Sequence, residues 1–320
     1  MAAWQGKYSE VVNLVTAGAK INSPGRGGVT ALILASQEGH TKIVRFLLKR
    51  GAKRSHKDEM GWNALMAAVS QGHFEAVQIL AVKFGDVTAR NSEGQTCLMF
   101  AVQQNQLEMM KYLAGKCDID EVDDDGRTAL YFAAEDNRLE MVRYLLDQGA
   151  DIDKGSNGGI TALMMAAWGG HLDVAMLLVQ RKADVDQPDD DGWTPCYVAA
   201  SGGHLATVKF LVEQGADKNK ATTDCGCTAL FTAAENGHLE TVKYLVQQGA
   251  DKYKTDNDGV SPRVVAIQKG HLEVAQYLAE QGPHVEGDTT NNDGITPLFK
   301  ATHQGHRIVV QYAVLRGVSK

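Results

Sequence analysis

Apolar positions along this chain fall into short blocks that return at a nearly fixed interval. Residues 226–251, GCTALFTAAENGHLETVKYLVQQGAD, show one block plainly. Within 228–236, Ala229, Leu230, Ala233 and Ala234 recur at helical spacing, and Thr228 stands where an N-cap belongs. The spacing predicts a short helix stopped by Gly237, because a left-handed residue is wanted at a helix end and glycine has no Cβ to resist it. Beyond that stop, Leu239, Val242, Leu245 and Val246 form one apolar stripe, with Glu240, Lys243 and Gln247 off it. This predicts a second helix with one buried face, ended by Gly249.

The block recurs along the whole chain. Its opening glycines are Gly28, Gly61, Gly94, Gly126, Gly159, Gly192, Gly226, Gly259 and Gly294, spaced by 33, 33, 32, 33, 33, 34, 33 and 35 residues. A second marker sits 11 residues after each: Gly39, Gly72, Asn105, Asn137, Gly170, Gly203, Gly237, Gly270 and Gly305. Asparagine is the next best left-handed residue, so Asn105 and Asn137 support a backbone role for that position. Neither helix is long enough to stand alone. Each copy must bury its face against its neighbours, which calls for a stacked solenoid.

The shared pattern, G-x-T-A/P-L-x-x-A-A-x-x-G-H-L-x-x-V-x-x-L-L-x-x-G-A-D, resembles the ankyrin repeat. The match is tightest over 126–251 and looser towards both ends, and it covers essentially the whole chain. The resemblance implies an all-α repeat fold, an ankyrin-type α-solenoid of helix-turn-helix units joined by β-hairpin loops. The expected organisation is a single array over 1–320. A truncated first unit (1–24) precedes repeats at about 25–57, 58–90, 91–122, 123–155, 156–188, 189–222, 223–255, 256–290 and 291–320. The chain opens partway through a repeat, and Ile308, Val309 and Val310 make no polar end cap; the expectation is a piece of a longer array, with a natural half-repeat cap and frayed ends of a complete short protein as the alternatives. Local departures are Phe84-Gly85 in place of Gly-Ala, an extra residue near Ala221-Thr222, two extra residues before Gly294, and Arg263 at a core position.

Composition narrows the setting. No apolar run approaches a membrane span, MAAWQGKYSE is no signal peptide, and the five cysteines make no disulfide framework. These features point to an intracellular compartment, cytoplasmic or nuclear. Residues 1–90 carry 12 Lys and Arg against 6 Asp and Glu, whereas 91–320 carry 20 against 33. Much of the basic excess lies in Lys42, Arg45, Lys49, Arg50, Lys53, Arg54 and Lys57. That stretch offers charge to an acidic protein, nucleic acid or an anionic surface, but it lacks the interleaved aromatics of a stacking platform. A solvated charged face is the simpler reading.

Candidate chemistry is absorbed by the repeat. Seven of ten histidines (His40, His73, His171, His204, His238, His271 and His306) follow the second marker, which makes them features of the layer. The resemblance gives that histidine a hydrogen bond to backbone near the helix junction. His56, His284 and His303 stand in different copies. Cys225 and Cys227 flank Gly226, with no second pair to complete a zinc set. Small side chains tolerated in a loop are the simpler reading there, against a redox pair. Cys97 and Cys196 belong to the core. The runs Asp123-Asp124-Asp125 and Asp189-Asp190-Asp191 suit turns better than a calcium cage. No phosphate-binding loop or nucleophile elbow is present. The expectation is therefore a non-catalytic chain with no cofactor and no metal.

In the family that the chain resembles, partners are held on a concave surface of finger tips and first-helix ends. Those positions are the two residues before each opening glycine, the one after it, and the two before the second marker. They vary here while the framework repeats. They include Trp62, Trp168 and Trp193, with Met60 and nearby Tyr197 extending an apolar patch. Around these stand Glu59, Asp124, Asp125, Arg127, Glu135, Asp136, Asp190 and Asp191. The expected surface is an acidic groove with aromatic anchors, suited to a protein or peptide of basic or mixed charge. The alternative for each tryptophan is packing on the neighbouring finger. The expected function is a monomeric protein–protein interaction scaffold or adaptor with no small-molecule substrate. The alternatives are a targeting module of a larger multidomain protein, or binding of nucleic acid or an anionic surface through the basic end.

Overall fold

The computed structural model describes residues 1–81 and 87–281. Phe84-Gly85, the loop after 281, His284, His303 and the last repeat lie outside these residues. Two compact units are present, Met1–Asp151 and Ile152–Lys320.

The first unit contains the helix Tyr8–Thr16 and four pairs: Ala31–Gln37 with Thr41–Lys49, Ala64–Ser70 with Phe74–Leu80, Cys97–Gln103 with Leu107–Ala114, and Ala129–Glu135 with Leu139–Asp147. The second contains Ala162–Trp168 with Leu172–Gln180, Pro195–Ser201 with Leu205–Glu213, Ala229–Glu235 with Leu239–Gln247, and Pro262–Lys269 with Leu272–Glu280. Within each unit every first helix packs on the next first helix, and the second helices follow the same order, with Phe74–Leu80 meeting Leu107–Ala114 through the Phe74 and Tyr112 rings, 5.4 Å apart. Paired alanines such as Ala133-Ala134 and Ala233-Ala234 are completely buried, so neighbouring first helices approach closely.

Caps start these helices where the sequence placed them. The side chains of Thr30, Thr96, Thr128, Thr161, Thr194 and Thr228 each accept the amide three residues on, as do Asn63 and Ser261. Each such cap contributes about 1 kcal/mol to a helix of only two turns. Arg263 lies in the core, 7% exposed.

The fingers differ from the implied β-hairpins. Among the described residues there is no strand, only an isolated bridge between Arg90 and Thr96. Successive fingers are joined by a single backbone bond, as from Ser92 N to Met60 O (3.0 Å), Asp190 N to Gly158 O (3.0 Å) and Thr223 N to Asp191 O (2.8 Å). One bond per junction ties a tip in place without building a ladder.

The second marker has two reasons to be glycine. Gly203 has φ +71°, as expected, and a Cβ there would also lie 2.5 Å from the His238 ring of the next repeat. Asn105 keeps the left-handed backbone at φ 55°, and the repeat after it carries Arg138 in place of histidine. Gly39, Gly170, Gly203 and Gly237 each stand against the histidine ring of the next repeat, but the pairing is not strict: Gly72 faces Gln106, and Asn137 precedes a repeat that carries His171.

Candidate functional site

The expected recognition residues on the fingers at 58–62, 123–127 and 189–193 sit on turns whose backbone is fixed by the first carboxylate of the finger. Asp58 accepts the amides of Met60 (2.9 Å) and Trp62 (2.8 Å). Asp123 does the same for Asp125 (3.1 Å) and Arg127 (2.8 Å), and Asp189 for Asp191 (3.1 Å) and Trp193 (2.8 Å). The acidic runs therefore build turns, as the sequence suggests, and they hold the following side chains in set positions.

In the first unit, Glu59 is exposed and Met60 is 59% exposed. Trp62 is half-buried, with its ring 4.7 Å from that of Phe100 in the next repeat. Arg127 is held internally: its guanidinium lies 2.9 Å from the fully buried Asp123 carboxylate and 3.0 Å from Asp125, and 5.1 Å from the Phe132 ring. Asp124 is exposed beside it. Glu135 and Asp136 close the helix end. Partial burial, then the charge of Asp136, raises the Glu135 pKa against a smaller lowering by Arg127.

In the second unit, Trp168, Trp193 and Tyr197 converge. The Trp168 and Trp193 rings are 6.5 Å apart and tilted by 36°, and those of Trp193 and Tyr197 are 5.4 Å apart and tilted by 40°. With Val198, Ser201 and Gly202 they line a pocket of about 260 Å³. Trp168 is 56% exposed, and its carbonyl accepts a bond from His204 Nε2 at 2.7 Å. The Trp193 indole N–H donates to Asp224 at 3.3 Å. Asp190 and Asp191 are exposed on the same finger as Trp193.

The charge around this pocket is negative. Burial raises the Tyr197 pKa first; a hydrogen bond with Thr232 opposes this, and Asp224, Glu235 and Asp189 raise it further. Slight burial pushes the Asp224 carboxyl up, but bonds from the Thr222 hydroxyl, the Cys225 amide and the Trp193 indole outweigh it and hold its pKa below the usual range. Glu235 is paired with Lys269 at 3.1 Å. Asp190, Asp191 and Asp224 have no ion-pair partner among the described residues.

Thus the structure joins Trp168 to Trp193 and Arg127 to Asp125, and sets Trp62 against Phe100. Ser201 and Gly202 line the pocket and Asp224 is bonded to Trp193; all three stand at the enumerated recognition positions but were not among the residues chosen from them. The available signal was the smallness of Ser201-Gly202 at a helix end where other repeats carry larger side chains.

The other candidates have structural roles. His40, His204 and His238 each reach a carbonyl at the first-helix end of the preceding repeat, at 3.0, 2.7 and 2.9 Å. His56 reaches the carbonyl of the opening glycine of the preceding finger, Gly28 O, at 2.8 Å. Cys225 and Cys227 correct the reading of two separate small side chains: they are joined by a disulfide, across Cα atoms 5.3 Å apart. Gly226 between them, with φ +72°, turns the chain so that the two side chains meet. Cys97 and Cys196 are completely buried; burial raises both thiols, Cys196 to about 12. The basic stretch is partly used within the fold: Arg45 pairs with Glu75 at 3.4 Å, Arg50 lies 5.2 Å from the Phe46 ring, and Lys57 donates to Arg90 O at 2.6 Å. No helix among the described residues is long and apolar enough to cross a membrane.

Comparison with family models matches ankyrin repeats (3 copies) over residues 1–91, 83–156, 153–222 and 219–287, and ankyrin repeats (many copies) over 264–314. A comparison with curated proteins finds no match. Ankyrin repeats are in general modules of protein–protein interaction.

Proposed function

This chain belongs to the ankyrin repeat family, and from that premise we propose that it is a non-catalytic scaffold or adaptor. It recognises a protein partner through finger tips and first-helix ends. The carrying observation is that, within the described full repeats, the two most exposed large apolar side chains stand at those positions, ahead of Tyr253 (43%) and Phe74 (37%) elsewhere. Met60 and Trp168 stay more than half exposed while the framework residues around them are buried. Large aromatics of this kind are the side chains that dominate protein interfaces. Exposed Glu59, Asp124, Asp190 and Asp191 nearby favour a partner of basic or mixed charge. Backbone bonds that fix each tip before binding leave little to be ordered on association.

Affinity capture with the whole chain, beside a Trp168→Ala, Trp193→Ala variant of equal helicity by circular dichroism, tests this. The expected result is a defined partner retained by the first and lost by the second, then reproduced with both components purified. An identical set of partners on both would remove the tips of the second unit from recognition.

A further inference from the structure

We propose that the pocket between Trp168, Trp193 and Tyr197 is an arginine-binding site, which takes the guanidinium of a partner side chain. The assignment rests on the reading of the tips as the recognition face and specifies what one of them holds.

The pocket presents two indoles and a phenol whose rings lie 6.5 and 5.4 Å apart at moderate tilt, lining a space of about 260 Å³. Aromatic faces attract cations, tryptophan most strongly, and a planar cation can stack where a compact one cannot. The rim supplies the counter-charge. Asp224 is bonded to the Trp193 indole, and Asp190 and Asp191 stand on the same finger. The small floor residues Ser201 and Gly202 leave room for a flat head group.

The choice of arginine has a precedent inside the molecule. The repeat at 123–136 has the same Asp-Asp-Asp-Gly finger and a tyrosine, Tyr131, at the position of Tyr197. There the residue after the glycine is Arg127. Its guanidinium lies within 3.0 Å of two carboxylates and 5.1 Å from Phe132. That finger provides its own cation. The finger at 189–193 has the acids and more aromatic surface, with Trp193 where the cation would be.

The test is a titration of the full chain with N-acetyl-arginine amide, followed by the indole N–H resonances in NMR. Citrulline, lysine and trimethyl-lysine amides serve as controls. Saturable shifts are expected for Trp168 and Trp193 and not for Trp62. The uncharged citrulline analogue should bind at least roughly 10-fold more weakly, and Trp168→Ala, whose side chain is already exposed, should weaken arginine binding by roughly 5-fold or more. Asp224→Asn keeps the shape of the rim and should weaken it by roughly 3-fold. Equal binding of citrulline, the absence of saturable shifts at Trp168 and Trp193, or tighter binding of trimethyl-lysine would overturn the assignment. Loss of the captured partner in the Trp168→Ala, Trp193→Ala variant without any arginine preference would leave recognition by the tips standing and remove only the guanidinium site.

Discussion

Two repeats of this chain begin with the same finger and use it differently. In the repeat at 123–155 the run Asp123-Asp124-Asp125-Gly126 is followed by Arg127, and in that at 189–222 the run Asp189-Asp190-Asp191-Gly192 is followed by Trp193. The backbone is the same: the first carboxylate accepts the amides two and four residues on in both. The side chains diverge. Arg127 pairs with two of the three acids of its own finger, whereas Trp193 turns to Tyr197, Trp168 and Asp224 and leaves its acids without an internal cation. One residue after a conformationally fixed turn therefore separates a tip that pairs its own acids from one that leaves them unpaired. The framework makes the turn, and the variable position decides what it offers.

The second marker gives the largest expected contrast between the two repeats. It is Asn137 in one and Gly203 in the other, both left-handed, at φ 57° and +71°. Backbone conformation alone would allow Gly203→Asn, and Asn137 itself precedes a repeat with His171, but at Gly203 a Cβ would meet the His238 ring as placed at 2.5 Å. The substitution should cost about 2–3 kcal/mol in urea unfolding. A second change, His238→Arg, reproduces the Asn105 and Arg138 combination and should recover part of the loss. No loss in the single variant would show that the ring moves aside freely.

Next in size is Arg127→Ala. It removes the cation from a fully buried Asp123 carboxylate and should destabilise the fold by about 1–3 kcal/mol. Trp168→Ala, at an exposed side chain, should stay within about 0.5 kcal/mol of the wild type. Equal costs at the two sites would break the distinction between a structural tip and a binding tip.

The smallest effect concerns charge. Glu135 has a folded-state pKa raised by partial burial and by Asp136, so its ionised form is disfavoured in the native state. Stability from this group falls as pH rises from the unfolded carboxylate range through the raised value. Glu135→Gln should therefore stabilise by a few tenths of a kcal/mol at pH 7, about the scale of a solvent-screened charge, and the gain should vanish below about pH 4. Asp224 has the opposite sign: its pKa is lowered, so its contribution is present above the unfolded carboxylate range and is lost only as pH falls through the lowered value. Thermal melts of Glu135→Gln and Asp224→Asn across pH 3–8 check both directions.

The framework was legible because each of its residues answers a local physical need that recurs. Thr228 caps, Gly237 reverses the chain, and Leu239, Val242 and Leu245 mark a buried face. The clash that excludes a Cβ at Gly203 was not legible, since it arises with His238 in the next layer. The recognition positions could be enumerated from the period, yet the period does not say where a side chain at such a position turns. Trp62 and Trp193 occupy the same slot; one stacks on Phe100 and the other joins Trp168. Phe100 stands six residues after the next opening glycine, and the residue so placed after Trp193 is Thr232, a smaller side chain that offers no ring to stack on. The disulfide between Cys225 and Cys227 was hidden for a similar reason, because a two-residue spacing carries no preference until the turn at Gly226 is in place.

The most direct measurement exchanges the deciding residue. Trp193→Arg places a guanidinium after Asp189-Asp190-Asp191-Gly192, as Arg127 stands in its own finger. The account predicts that this variant keeps the wild-type melting temperature within a few degrees and binds no N-acetyl-arginine amide by calorimetry, while the wild type binds it saturably. Undiminished binding by Trp193→Arg would contradict the claim that the residue after the opening glycine decides whether a tip is closed or open.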